Sequence, residues 1–255
     1  MKHWNEMSAR WHAHYERGRP SYPRDAVRRA GLPRGSTVLE VGAGTGKLTR
    51  LLVDEFSRVV AVEPDPRMRS RFAVVCAGAL LVAGVAEALP VGDASVDAVF
   101  VAEAFHWFDH RTAVAEFARV LRPRGALVLM WNRPAGRPEP SIADVEELLE
   151  PLWPDDIEMP LDLDPRCFPY AREWPSAFEG SSFEPLQRST VSNVCTFTRD
   201  ELVAFFGSMG WIDALPTAHA GELLDQVRSR LMHDEYRLPF ETDVHWTRLQ
   251  APGRG

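Results

Sequence analysis

The stretch LEVGAGTGKLT, residues 39–49, decides how the chain is read. Leu39 and Val41 close the β-branched run STVLEVG (36–42), while Leu48, Leu51, Leu52 and Phe56 of KLTRLLVDEF (47–56) recur at helical spacing. Gly42, Gly44 and Gly46 therefore occupy a turn from strand to helix, where a missing Cβ lets the backbone bend sharply and approach a ligand. A phosphate loop of the form GxxxxGK[ST] ending on Gly46 and Lys47 requires glycine at 41 and Ser or Thr at 48; Val41 and Leu48 stand there. A dinucleotide GxGxxG counted from Gly42 and Gly44 requires glycine at 47, where Lys47 stands, which weakens that reading without removing it.

Outward from the glycines the alternation continues. RVVAVE (58–63) reads as a strand, DPRMRSRFAVV (65–75) as a helix opened by Asp65 with proline in its first turn, and ALLVAG (79–84) as a third strand. SVDAVFVAEAF (95–105) gives a fourth strand, RTAVAEFARVLRP (111–123) an amphipathic helix stopped by Pro123, and GALVLMWN (125–132) a fifth strand. Near-continuous apolar strands separated by helices predict an α/β fold, a parallel sheet covered on both faces. Beyond RPAGRPEP (133–140), SIADVEELLE predicts a helix capped by Ser141, and six prolines between Pro151 and Pro175 exclude a long helix. FEPLQRSTVSNVCTF is strand-like, TRDELVAFFGSMG a helix capped by Thr198, GELLDQVRSRLM a further helix, and FETDVHWTRL (240–249) alternates as a last strand.

Composition narrows the function classes. The 255 residues carry a formal charge of −7, which argues against a surface built to hold phosphate backbones. Cys76, Cys167 and Cys195 are far apart and form no CxxC, so neither a disulfide framework nor a cysteine zinc site is expected, and a cytoplasmic setting fits. No apolar run reaches membrane-spanning length. Lysine occurs only at Lys2 and Lys47, a coding bias toward arginine. Glu103, His106, Asp109 and His110 offer metal-type ligands at short spacing, but convergence across a strand-to-loop transition is required and no metal is expected; His12 and His14, two apart on a helix, point in different directions.

The spacing Glu40-x-Gly42-x-Gly44-x-Gly46 resembles motif I of the class I S-adenosylmethionine-dependent methyltransferases, and AVEPD brings Glu63 about twenty residues later, where an acid accepts from ribose hydroxyls. That acid suits NAD equally. GVAEALPVGDASVDAVFVAEAFHWFDH (84–110) resembles the small-molecule methyltransferases of this class, in which the segment matching Ala86 and Glu87 flanks adenine. YERGRPSYP (15–23), MWNRP and FETDVHW are similar to bacterial methyltransferases distantly related to the trans-aconitate methyltransferases. The resemblance implies a Rossmann-like seven-stranded sheet of order 3-2-1-4-5-7-6 with the last strand antiparallel. It implies S-adenosylmethionine as cofactor, with S-adenosylhomocysteine as product, and a cofactor site of Tyr15, Arg19, Glu40, Gly42, Ala43, Gly44, Gly46, Glu63, Pro64, Ala86, Glu87, Ala102 and Glu103. Glu40 reads equally as a brace for the loop, and Tyr15 and Arg19 equally as anchors of the first helix.

Ligands of open α/β sheets lie beyond the carboxyl ends of the strands, which puts VAEAFHWFDH (101–110) at the reaction site. Phe105, His106 and Trp107, with Tyr22, are the candidate substrate wall, and His106 is the candidate base, since an imidazole is able to take a proton or orient the nucleophile. The Asn- or Asp-Pro-Pro-aromatic motif of base-methylating enzymes is replaced by AEAF, which lowers nucleic acid as a partner. The expected organisation is a single domain with a helical cap (1–35), a cofactor-binding core (36–132), a proline-rich insertion or lid (133–182) and a completion of the sheet (183–255), as monomer or homodimer. The expected function is methyl transfer to an oxygen, nitrogen or carbon of a small-molecule acceptor, a carboxylate or secondary metabolite among them. The alternatives are an S-adenosylmethionine-binding cyclase or decarboxylase, an NAD-dependent oxidoreductase and a non-catalytic binding module.

Overall fold

The computed structural model describes residues 7–136, 139–152 and 174–251. Along the chain run α1 (Ala9–Gly18), α2 (Arg24–Arg28), β1 (Thr37–Val41), α3 (Thr49–Glu55), β2 (Arg58–Val62), α4 (Pro66–Val75), β3 (Leu80–Val82) and β4 (Val96–Ala102). They are followed by α5 (His110–Val120), β5 (Leu121–Pro134), α6 (Pro140–Leu149), β6 (Gln187–Thr198), α7 (Arg199–Gly207), α8 (Gly210–Ala214), α9 (Thr217–Arg230) and β7 (Glu235–Arg248). The strands form one sheet in the order β3-β2-β1-β4-β5-β7-β6.

β1 is parallel to β2 and β4, β2 to β3, and β4 to β5. β7 runs against β5: Leu249 N–H donates to the Gly125 carbonyl at 2.9 Å, and ten residues further along β5 Ala135 N–H donates to the Pro239 carbonyl at 2.9 Å. As the position on β5 rises, its partner on β7 falls, so the sheet is mixed and β7 is antiparallel, as the resemblance implied.

Side chains alternate across the central strands. Leu39, Val41, Val99, Val101, Leu127 and Leu129 enter one buried cluster with Phe117; Val38, Ala98, Phe100, Val128 and Met130 enter another with Val27, Leu48 and Leu52. Burial on both faces is why these strands read as continuous apolar runs, each large side chain contributing about 2–3 kcal/mol.

Boundaries differ from expectation in several places; β4, read to Phe105, ends at Ala102, and α9, read from Gly221, begins at Thr217. α5 ends at Val120 and not at Pro123, because Leu121 already takes an extended conformation (φ −73°, ψ 138°) and pairs with Val96. Glu139, not Ser141, caps α6: with proline at the first helical position, the Glu139 carboxylate accepts from Ser141 N–H at 3.2 Å and Ser141 Oγ at 2.5 Å. β7 starts at Glu235, ahead of the alternation over 240–249. Thr198 caps α7 as expected, in a capping box with Glu201. Most of the proline-rich stretch, 153–173, lies outside the described residues.

The chain folds as two units. One takes its described residues from 1–21, 133–169 and 192–241, the other from 22–132, 170–191 and 242–255. The stretch 133–182 read as one insertion is thus shared between them. In the first unit α1 packs so closely on α7 that a Cβ on Gly18 would lie 2.1 Å from the Phe205 nitrogen. Trp11 Nε1 donates to the Ser208 carbonyl at 2.8 Å, and Ser8 N–H to the buried Asp213 carboxylate at 3.0 Å. The second unit holds the glycine loop and everything that follows it to Asn132.

Candidate active site

In the strand order β2-β1-β4, the loops leaving β1 and β2 turn one way and the loop leaving β4 the other, which opens a crevice at the carboxyl ends. The glycines meet that geometry in detail. Gly42 (φ +73°) brings its backbone so close to the β4 loop that a Cβ would stand 2.6 Å from Ala104 Cβ. Gly42 and Ala43 N–H both donate to the Val62 carbonyl, at 2.9 and 3.1 Å, tying the loop to the end of β2. Gly44 (φ +58°) donates its N–H to Glu63 Oε2 at 2.7 Å, and Gly46 (φ +86°) passes the Phe72 ring where a Cβ would be 2.9 Å away.

Glu63 is fixed from two sides, because Asp65 N–H donates to its other oxygen, Oε1, at 2.8 Å. Burial pushes its carboxyl upward and the two amide bonds pull it down. Arg69 steadies the backbone behind it, Nη1 donating to the carbonyls of Glu63 at 2.8 Å and Pro64 at 2.6 Å, while Asp65 caps α4 through Arg67 N–H at 2.8 Å. Each Glu63 oxygen keeps a second lone pair. Glu40 behaves differently. Its buried carboxyl accepts from Thr49 Oγ1 at the start of α3, and burial pushes its pKa up to about 8. That contact makes Glu40 a brace between β1 and α3.

Ala86 is buried in the core cluster beside Leu89, and Glu87 accepts from Asp109 N–H at 2.8 Å, tying this loop to the one leaving β4. Arg119 of α5 holds the same loop from below: Nη2 donates to the Leu89 carbonyl at 3.0 Å, Nη1 to Val91 at 2.9 Å and to Asp93 at 2.6 Å. Glu116, paired with Arg119 at 2.7 Å, accepts from Leu89 N–H at 2.8 Å. The Glu116–Arg119 pair, three apart on one helix, is the signal in the sequence for this clamp.

Ala102 is buried on the face shared with Met130 and Phe100. Glu103 takes a left-handed backbone (φ +51°), rare for a residue with a side chain, and its carboxylate accepts from Asn132 N–H at 2.6 Å. Thr242 Oγ1 in turn donates to Asn132 Oδ1 at 2.5 Å. Phe105 opens a three-residue 3₁₀ turn and is fully buried, stacked on His110 at 4.9 Å and edge-on to Trp174 at 5.8 Å. It is a core residue, as is Tyr22, buried with Ala26, Val27 and Phe100. His106 and Trp107 are half-buried, their rings 4.9 Å apart. The second unit thus brings together the glycine loop, Glu63, Pro64, Glu87, Glu103 and His106.

Tyr15 and Arg19 belong to the first unit. There Arg19 Nη2 donates to the Ser208 carbonyl at 3.1 Å and its guanidinium lies 5.7 Å from the Tyr15 ring and 6.0 Å from that of Phe205. Asp109 caps α5 through Thr112 N–H at 2.9 Å, while Glu103 accepts from Asn132 N–H, so the two acids serve different partners. Among the described residues no group of three or more His, Cys, Asp or Glu is placed to hold a metal.

A mixed sheet of this order, with a glycine loop after β1 and a fixed acid after β2, is the class I methyltransferase fold. Residues 39–129 match the family described as methyltransferase domain. An uncharacterized methyltransferase of Mycobacterium tuberculosis is 49% identical over 118 residues, 46% of this chain and 49% of that protein, so the chain spans about half the length of that relative. An uncharacterized methyltransferase of Schizosaccharomyces pombe is 31% identical over 209 residues, 80% of this chain and 78% of that protein. The solved structure of a protein of Anaeromyxobacter dehalogenans assigned as a type II methyltransferase shares the fold, with a TM-score of 0.63 and 22% identity over 92% of this chain and 99% of that one. The chain belongs to the methyltransferase family.

Proposed function

We propose that the protein transfers a methyl group from S-adenosylmethionine to a small-molecule acceptor. The observation that carries this is Glu63, a carboxylate fixed by the Gly44 and Asp65 amides with one lone pair on each oxygen still to be filled. Two ribose hydroxyls satisfy that pair. The glycine loop would run beneath the methionine and ribose, and the loop of Ala86 and Glu87, held by Arg119, would flank adenine. When bound, the cofactor supplies a methyl group on a sulfonium, which is already a good electrophile.

The chain's own residues then orient, exclude water and manage a proton. Glu63 and the close backbone approach of the glycine loop fix the position of the donor against the acceptor, an effect able to supply several kcal/mol of the barrier. His106, half-buried in the turn after β4, takes the proton of an acceptor that arrives protonated; a carboxylate acceptor needs no such base. Glu103, with its left-handed backbone, ties the start of this turn to β5 through its bond to Asn132. No described helix is long and apolar enough to cross a membrane. Titration with S-adenosylmethionine followed by assay of S-adenosylhomocysteine production over a panel of acceptors tests the proposal. Binding with turnover supports it; binding of nicotinamide nucleotides in place of S-adenosylmethionine overturns it.

A further inference from the structure

The sheet ends on two strands, and only one of them is guarded. At one edge β3 has three residues, too short to template another strand; at the other β6 has twelve, Gln187–Thr198, and among the described residues no strand lies on its outer side. A long edge directs a row of backbone N–H and C=O groups away from its own sheet, and proteins blunt such an edge with lysine, proline, an inward-pointing charge or a bulge. From Ser189 to Thr198 the strand reads STVSNVCTFT, without a charge, proline or glycine, and most of those residues are Val, Phe or Thr, types that favour extended chain.

The two faces of β6 differ. Val191 and Phe197 are buried in apolar clusters, which anchors the strand, whereas Thr190, Ser192, Val194, Thr196 and Thr198 are exposed, Val194 to 58%. Laid antiparallel to a second copy about a two-fold axis through Val194, the exposed row meets itself: Val194 faces Val194, Ser192 faces Thr196, and Thr190 faces Thr198. Facing hydroxyls of this kind hydrogen-bond across strands. The same register sets Arg188 of one copy opposite Asp200 of the other, in the first turn of α7, at both ends of the pairing. Their side chains are 49% and 54% exposed, so each keeps an open side while holding Asp243 and Arg228. A shift of two residues either way parts the valines and sets the arginine opposite Thr198 or Leu202, and a shift of one sets the exposed row against the buried one. The ion pairs fix register more than they add affinity.

We infer that β6 is the interface of a homodimer, pairing antiparallel with β6 of a second copy so that the two sheets join into one. The contact is isologous and uses up the long edge of both copies, so it closes at a dimer. No residue of the candidate active site lies on β6, and the inference stands apart from the methyl-transfer reading.

Sedimentation velocity over a concentration series should find a dimer for the native chain. Val194→Arg sets two like charges face to face on the axis at an exposed position; it should weaken dimerisation roughly tenfold or more and leave the unfolding midpoint at dilutions where both proteins are monomeric unchanged. Air oxidation reads the register in a background of Cys167→Ser and Cys195→Ser. Val194→Cys should give a disulfide-linked dimer, because its sulfurs meet across the axis, whereas Ser192→Cys should not, because its counterpart lies four positions along the strand, about 13 Å away. A monomer at every concentration, a dimer that Val194→Arg does not weaken, or a Val194→Cys variant that links no faster than Ser192→Cys overturns the inference.

Discussion

Glu40→Gln should change how stability depends on pH. In the native protein the Glu40 carboxyl has a pKa raised by burial from 4.5 to about 8, against the opposing bond from Thr49. Between those two values the folded state keeps a proton that the unfolded chain has released. The favourable contribution is therefore complete below about pH 4.5, declines by up to about 1.4 kcal/mol per pH unit above it, and is lost as pH rises through about 8. Glutamine keeps the carbonyl that accepts from Thr49 and cannot ionise. From about pH 5.5 to about pH 7.5 the variant should therefore gain roughly 2–3 kcal/mol relative to the native protein. Glu63, also raised by burial, tilts both proteins in the same direction. Urea unfolding of both proteins at three pH values measures the difference. Parallel stability curves would refute the reasoning, since they require Glu40 to be ionised in the fold or to titrate alike in both states.

Gly42→Ala should cost about 2–4 kcal/mol in thermal or urea unfolding, because it combines a left-handed backbone with a contact 2.6 Å from Ala104 Cβ; a loss under about 0.5 kcal/mol would show that the loop yields freely. Arg119→Met removes the donors to the Leu89 and Val91 carbonyls and should cost about 1–3 kcal/mol while weakening S-adenosylhomocysteine binding, with unchanged affinity separating the clamp from the cofactor site. His106→Ala should slow turnover about a hundredfold or more with a hydroxyl acceptor and spare cofactor affinity; unchanged turnover returns the imidazole to packing.

Features set by local spacing were legible before the fold was known. The three glycines and Glu63 lie on consecutive turns whose register depends only on strand and loop lengths, and their positions follow from the sequence. Glu103 was not legible in the same way. Its carboxylate turns to Asn132, twenty-nine residues away on the next strand, and its left-handed backbone follows from that pairing and not from any neighbour in sequence. The run FHWF shows a second limit. Four aromatic residues in succession do not say which ring turns inward, and a single 3₁₀ turn puts Phe105 in the core and leaves His106 half-buried. Tyr22 shows the same limit, since an aromatic residue beside prolines fits a wall or a core equally in sequence, and in the fold it is buried in the second apolar cluster. The packing of Trp131, Trp174 and His245 on one another was beyond the sequence altogether, because it joins three segments more than forty residues apart.

The central claim is that Glu63 and the glycine loop hold the ribose of S-adenosylmethionine, and calorimetric titration with S-adenosylhomocysteine tests it most directly. Binding is expected to the native protein with one site per chain, and to be weakened at least a hundredfold in Glu63→Ala, which removes the acceptor of both hydroxyls. No binding to the native protein, or equal affinity in the variant, would contradict it.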